Sequence, residues 1–195
     1  MKHSVPLILL MLAGCVAQPP VKSWLDPVSV ATLTSQSTPL VLARASSSSM
    51  IQRTFAQLTA VEVNRMGTRR LYLVLVPRIT NEVTPTQLAT FQRSFDQIEL
   101  RADERAIALA RYTGDLAELG IGEPELLPIF TTRFGLYPVE RADLRALVDS
   151  KQVTLVAMGL QTPRTYEEWN DSRHSLRDFL AQLPGEATAA QQRAP

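Results

Sequence analysis

Cysteine and histidine are nearly absent from this 195-residue chain, which has one cysteine, Cys15, and two histidines, His3 and His174. A single cysteine excludes a disulfide within the chain. A structural zinc site needs about four ligands, mostly His and Cys, so the sequence predicts no metal site and no cofactor. No apolar run approaches the roughly 20 residues that a helix needs to cross a bilayer.

Sequence motifs of common enzymes are lacking as well. No G-x-S-x-G segment is present to expose a nucleophilic serine. A Ser-His-Asp arrangement would have to use His174, which the helical pattern around it places towards solvent. Gly120-x-Gly122 has neither the further glycine nor the Lys-Ser/Thr pair of a phosphate loop. We therefore predict that the protein is not an enzyme.

The first 15 residues have the organisation of an export signal. Lys2 supplies a positive charge, an apolar run covers residues 5–12, and small residues precede Cys15. The segment Leu12-Ala13-Gly14-Cys15 resembles the lipobox of bacterial lipoproteins. That resemblance implies that residues 1–14 are removed and that Cys15 becomes the lipid-modified first residue, which attaches the protein to a membrane.

The residue after the cysteine indicates to which membrane the protein is attached. In Gram-negative lipoproteins, Asp at this place resembles an inner-membrane retention signal, and here the residue is Val16. If the host is Gram-negative, the outer membrane is therefore favoured. Because acyl chains supply the attachment, Cys15→Ser is expected to release the protein from membranes.

The remaining chain has the length of one domain. Residues 15–23 are predicted to form the lipidated cysteine and a short tether, 24–183 a single globular domain, and 184–195 a disordered tail. Trp24 is expected to pack the start of the domain onto its core. The chain has 20 basic and 19 acidic side chains, and loss of Lys2 with the leader would balance them. This balance argues against nucleic acid as a partner.

Alternating apolar residues predict a mainly β (α+β) fold, antiparallel and sandwich-like. The clearest signal is a hairpin at residues 59–64 and 71–76, whose turn needs Gly67 for its positive φ. A second hairpin joins strands around 98–101 and 107–109. Further strands are expected at 40–43, 129–136 and 153–158.

Two or three helices are expected to flank the sheet, including one near the C-terminus. The first begins at Thr84, followed by Pro85 and by Gln87 for a capping box. The second covers residues 141–149. The third is expected to begin with a capping box of Thr165 and Glu168 and to bury one stripe of apolar side chains. The residues of that stripe are Trp169, Leu176, Phe179, Leu180 and Leu183.

Carboxylate pairs are the main alternative to a non-catalytic protein, because two acids can carry out glycoside hydrolysis. Asp103 and Glu104 stand at a predicted turn, and Glu167, Glu168 and Asp171 stand near a predicted helix start. Acids at these places are commonly solvated or favoured by the helix dipole. The hydrolase hypothesis requires some of these acids to converge in a cleft.

A cluster of arginines is the candidate binding site. Arg65, Arg69 and Arg70 surround the predicted hairpin turn, and guanidinium groups bind carboxylates and phosphates. Such a cluster could hold an acidic glycan, a lipid headgroup or an acidic protein surface. A charged, soluble hairpin end is the preferred interpretation of these residues.

The sequence thus predicts a membrane-anchored envelope lipoprotein that acts as an accessory, scaffolding or binding module with an envelope protein as its partner. Two alternatives remain open: a carboxylate-dependent hydrolase of cell-wall or lipid material, and a carrier that holds an apolar ligand in an internal cavity.

Overall fold

The computed structural model describes residues 19, 21–46, 49–80, 83–122, 124, 129–130 and 133–184. The leader, Cys15, Val16 and the tail beyond Pro184 lie outside these residues. The strands are β1 (Val21–Leu25), β2 (Thr32–Gln36), β3 (Leu40–Ser46), β4 (Ser49–Arg65), β5 (Thr68–Ile79), β6 (Gln97–Ala102), β7 (Arg105–Ala110), β8 (Gly135–Pro138), β9 (Val153–Ala157) and β10 (Arg164–Asn170). The helices are α1 (Pro85–Arg93), α2 (Arg141–Asp149) and α3 (Arg173–Gln182), and Leu116–Leu119 form a 3₁₀ turn.

The described strands form one antiparallel sheet that curls into a half-barrel. β4 is its centre: one edge pairs with β5, and the other pairs with β3 and then with β2. From β3 the sheet continues through β10, β9 and β6 to β7. The predicted mainly antiparallel β fold with a C-terminal helix is confirmed, and the sandwich-like layering arises from one curled sheet.

Alternation along β4 supplies two apolar cores. Ala56, Leu58 and Ala60 face the inside of the half-barrel, where they pack with residues from all three helices. Val61 and Val63 belong to a second core on the outer face, covered by residues between Leu116 and Leu136. A fully buried aliphatic side chain contributes about 1.5–3 kcal/mol, so both faces of this half of the sheet are fixed by burial.

The first two helices match their predictions. Thr84 caps α1 together with Gln87, and the two residues form the reciprocal hydrogen bonds of a capping box. α2 covers residues 141–149 and buries Leu144, Leu147 and Val148.

The predicted start of the third helix is wrong. Thr165 and Glu168 lie in strand β10, which pairs with β9 and β3, and α3 begins only at Arg173. Tyr166 is buried between exposed neighbours, the alternation of a strand. Leu176, Phe179, Leu180 and Leu183 are buried as expected, whereas Trp169 is not part of the helix.

Other differences concern short strands. The predicted strand at 129–136 is wrong in extent, because β8 begins only at Gly135. β1 has a mixed sequence and β2 a largely polar one, and neither strand was predicted. β1 begins at Val21, within the segment expected to be a tether. Trp24 packs against the outer core, as expected.

Among the described helices, none is both long and apolar enough to cross a bilayer.

Candidate functional site

The predicted carboxylate pair at the β6–β7 turn has a structural role. Asp103 accepts hydrogen bonds from the backbone N–H groups of Lys151 and Gln152, each at 3.0 Å. These hydrogen bonds lower the pKa of Asp103, so its carboxylate stays ionised and has no proton to donate as a general acid. Glu104 is exposed beside it.

The second group of acids is organised by Arg173, the first residue of α3. Arg173 pairs with Asp171 at 2.8 Å and with Glu168 at 3.5 Å. The hydrogen bond from the Arg173 side chain lowers the pKa of Asp171. Glu167, the next residue of β10, points to the other face of the sheet. These acids connect a strand to a helix, and none of them lines a described cleft.

His174 is exposed to solvent, as the sequence predicts. Within the described ranges, no group of His, Cys, Asp and Glu side chains could hold a metal ion.

The structure divides the predicted arginine cluster between two faces. β4 and β5 pair Val63 with Arg70 and Asn64 with Arg69. Because side chains alternate along a strand, Arg65 and Arg70 share the outer face and Arg69 lies on the inner one. Arg69 pairs there with Glu62 at 3.4 Å. All three nevertheless remain at the same end of the sheet.

A cleft of about 670 Å³ lies between β8, the end of α1 and the segment 111–116 that follows β7. Its Arg111 pairs with Asp96 at 3.4 Å and donates to the carbonyl of Phe134 at 3.0 Å. Tyr137 is buried at its base and donates to the carbonyl of Phe95. Arg111 and Tyr137 therefore already bind groups of the chain itself across this cleft.

A second cleft, of about 620 Å³, lies on the outer face of the sheet where no described segment covers it. We call it the Trp169 groove. It crosses β3, the first half of β4, the end of β5 and the end of β10. Its lining residues are Val41, Phe55, Gln57, Arg78, Ile79, Thr80, Trp169 and Asn170.

Trp169 is the main feature of this groove. The pairing of β10 with β3 is irregular between Glu168 and Asn170, and Trp169 projects from that irregularity with 55% of its surface exposed. The rings of Trp169 and Phe55 pack edge to face, with 5.9 Å between their centroids. The guanidinium carbon of Arg53 lies 4.4 Å from the centroid of the Trp169 ring. These contacts hold a large exposed indole in place before any ligand binds.

The groove also offers unused hydrogen-bond donors. Nε of Arg78 donates to Oε1 of Gln57 at 3.0 Å, which fixes the plane of the guanidinium group. The terminal nitrogens of Arg78 make no hydrogen bond to the described part of the chain. Among the described residues, no carboxylate lines the groove. Glu167 is in register with Phe55 but two strands away, or about 10 Å.

Little in the sequence indicates this groove. The sequence pattern places Trp169 in a helix, and it predicts no strand between residues 43 and 59, where Phe55 and Gln57 lie. One usable signal existed: Ala56, Leu58 and Ala60 continue the alternation of the predicted hairpin backwards along β4. The bulge that turns Trp169 outward depends on pairing between distant strands and has no local signature.

No protein-family model matches the chain, and no curated protein or solved structure shows significant similarity to it.

Proposed function

We propose that this protein is an envelope lipoprotein, anchored through Cys15, that acts as a non-catalytic accessory module and binds a protein partner in the Trp169 groove. The observation that carries this proposal is the exposed Trp169, held by Phe55 and Arg53 in an uncovered cleft. Tryptophan and arginine are the residue types most enriched among interface residues that dominate binding energy.

The contacts of the acids support the non-catalytic part of the proposal. Asp103, Glu168 and Asp171 already bind backbone N–H groups or Arg173. A hydrolase that uses two carboxylates needs one of them protonated in a cleft with the substrate, and these acids lie outside the described clefts.

Crosslinking in intact cells, followed by affinity purification in mild detergent, tests the groove. We expect Trp169→Ala and Arg53→Ala each to reduce recovery of the partner about tenfold or more, because removing such a residue typically costs at least about 2 kcal/mol of binding energy. Met158→Ala is the matched control, since Met158 is also an exposed large apolar residue but does not line the groove. Equal recovery with all three variants would contradict the proposal.

A separate experiment tests the anchor. Cys15→Ser is expected to move the protein from the membrane fraction to the soluble fraction, because the variant cannot carry the acyl chains. Trp169→Ala should stay with the membrane. Retention of Cys15→Ser in washed membranes would show that something other than lipid attachment holds the protein there.

A further inference from the structure

Exposed large apolar side chains collect at one end of the sheet. Six are found among the described residues, and four of them lie at the end formed by the β1–β2 loop and the β4–β5 turn. Their exposed fractions are 62% for Leu25, 60% for Val28, 69% for Val30 and 97% for Met66. Single exposed apolar residues are common on proteins, but a group of them marks an interaction surface.

Contacts between backbone segments bring these residues together. Leu25 pairs with Thr32, which pairs in turn with Asn64 just before the turn that carries Met66, so Leu25 lies at this end of the sheet on its inner face. A Cβ atom on Gly122 would lie 2.7 Å from the Val28 side chain, and one on Gly120 would lie 3.3 Å from Cδ of Arg65. The β1–β2 loop, the segment 120–122 and the hairpin turn therefore form one surface, which we call the hairpin-end patch.

The β1–β2 loop is held firmly although its valines are exposed. Asp26 is fully buried and accepts hydrogen bonds from the N–H groups of Val28, Ser29 and Gly122 at 2.8–2.9 Å. Val30 has a positive φ of 56°, a conformation that β-branched residues rarely adopt. The fold thus fixes the loop in a shape that presents two valines to the outside.

Two arginines border these apolar residues. Arg65 and Arg70 lie on the outer face at this end, and neither pairs with a carboxylate in the described part of the chain. Glu62, the acid nearest on β4, is buried on the other face and pairs with Arg69. Apolar tips beside unpaired guanidinium groups match the surface of a bilayer that contains anionic lipids.

We infer that the hairpin-end patch docks on the surface of an anionic membrane, with Leu25, Val28, Val30 and Met66 entering the interface and Arg65 and Arg70 binding lipid phosphates. The inference rests on the proposed lipid anchor. Five residues lie between Cys15 and Val21, a reach of at most about 20 Å. β1 is five residues long, or about 17 Å, so the tether is long enough for the hairpin end to face the same membrane.

The test uses the anchored protein reconstituted into vesicles. Because Cys15 is the sole cysteine and lipid attachment consumes its thiol, Val28→Cys and Met66→Cys would each introduce one free thiol for a polarity-sensitive fluorophore. Met158→Cys is the control position. We expect a blue shift at positions 28 and 66, and none at 158, on vesicles of phosphatidylcholine with phosphatidylglycerol. The shift should be smaller on phosphatidylcholine alone and should decrease as salt is raised.

Charge reversal completes the test. Arg65→Glu with Arg70→Glu should abolish the shift, whereas Arg145→Glu with Arg177→Glu, exposed arginines of α2 and α3, should leave it unchanged. A labelled protein that floats with the vesicles but shows no shift at either position overturns the inference. A fluorescence shift of equal size on vesicles with and without phosphatidylglycerol also overturns the inference.

Failure of the anchor gives a different result. The protein without an introduced cysteine would then react with the thiol reagent and would not float with the vesicles. In that case the same labelled variants, added to vesicles from solution, decide the inference by the same shift.

Discussion

Val30 occupies a backbone conformation that valine avoids, and it does so on the surface. Its N–H donates to the carbonyl of Asp26 at 3.0 Å, and the N–H of Asp26 donates to the carbonyl of Ala31 at 2.9 Å. These hydrogen bonds and the buried Asp26 carboxylate hold the loop in place. A strained residue with an exposed side chain adds nothing to the core, so its presence fits a binding role better than a folding role.

Replacing this residue should therefore stabilise the protein. Asparagine tolerates positive φ values that cost a β-branched residue roughly 1–2 kcal/mol. We expect Val30→Asn to raise the free energy of unfolding by about 1 kcal/mol, measured by chemical denaturation. Val28→Asn serves as control, because Val28 is similarly exposed but has no positive φ, and it should change stability little. Unchanged or lower stability of Val30→Asn would contradict the strain argument.

Local chemistry decided which residues could be predicted. Gly67 was expected to have a positive φ because a two-residue hairpin turn demands it, and its φ is 86°. The Thr84 capping box was predictable because both partners lie within one turn of helix. Thr165 and Glu168 have a similar spacing, yet they lie in a strand because pairing with β3 and β9 overrides the local preference.

At the scale of elements, the junction between β10 and α3 depends on charge. Arg173 donates to the carbonyl of Ser150 after α2 and pairs with Asp171 and Glu168. It therefore connects a strand and two helices at one point. Asp171 and Glu168 lie within five residues of Arg173 in the sequence, but the contact with Ser150 joins a distant segment and has no local signature.

This junction makes a prediction about pH. The Arg173 side chain lowers the pKa of Asp171 from its ordinary value of 3.8. A lowered pKa in the folded state means that the ionised carboxylate stabilises the fold above about pH 4, and that this contribution is lost as the pH falls towards the lowered pKa. Asp171→Asn should cost at most about 1 kcal/mol at neutral pH, because the Asp171 side chain is more than half exposed and solvent weakens its ion pair with Arg173.

The difference in unfolding free energy between the natural protein and Asp171→Asn should then shrink between about pH 4 and pH 2. Asp178→Asn is the control, because it removes an exposed carboxylate of α3 that makes no ion pair within the described residues. A difference that stays constant over this range would show that the carboxylate charge of Asp171 does not stabilise the junction.

Across the whole molecule, β4 connects the two proposed surfaces. Phe55 lies in the Trp169 groove and Arg65 in the hairpin-end patch, both on the outer face and ten residues apart on the same strand. At about 3.3 Å per residue, the two surfaces are roughly 33 Å apart. The long hairpin and the arginines at its turn were predicted from the sequence. The Trp169 groove and the apolar part of the hairpin-end patch were not, because each depends on which part of the outer face the segment after β7 covers.

The separation predicts that the two surfaces act independently. Substitutions more than about 10 Å apart without shared partners usually have additive effects. Trp169→Ala should therefore reduce partner recovery without changing the fluorescence shift at position 28, and Arg65→Glu with Arg70→Glu should do the reverse. In the combined variant each measurement should match that of the corresponding single-site variant. A groove substitution that alters membrane docking would instead mean that the partner and the bilayer are bound by one continuous surface, and that β4 is part of that surface rather than a spacer between two.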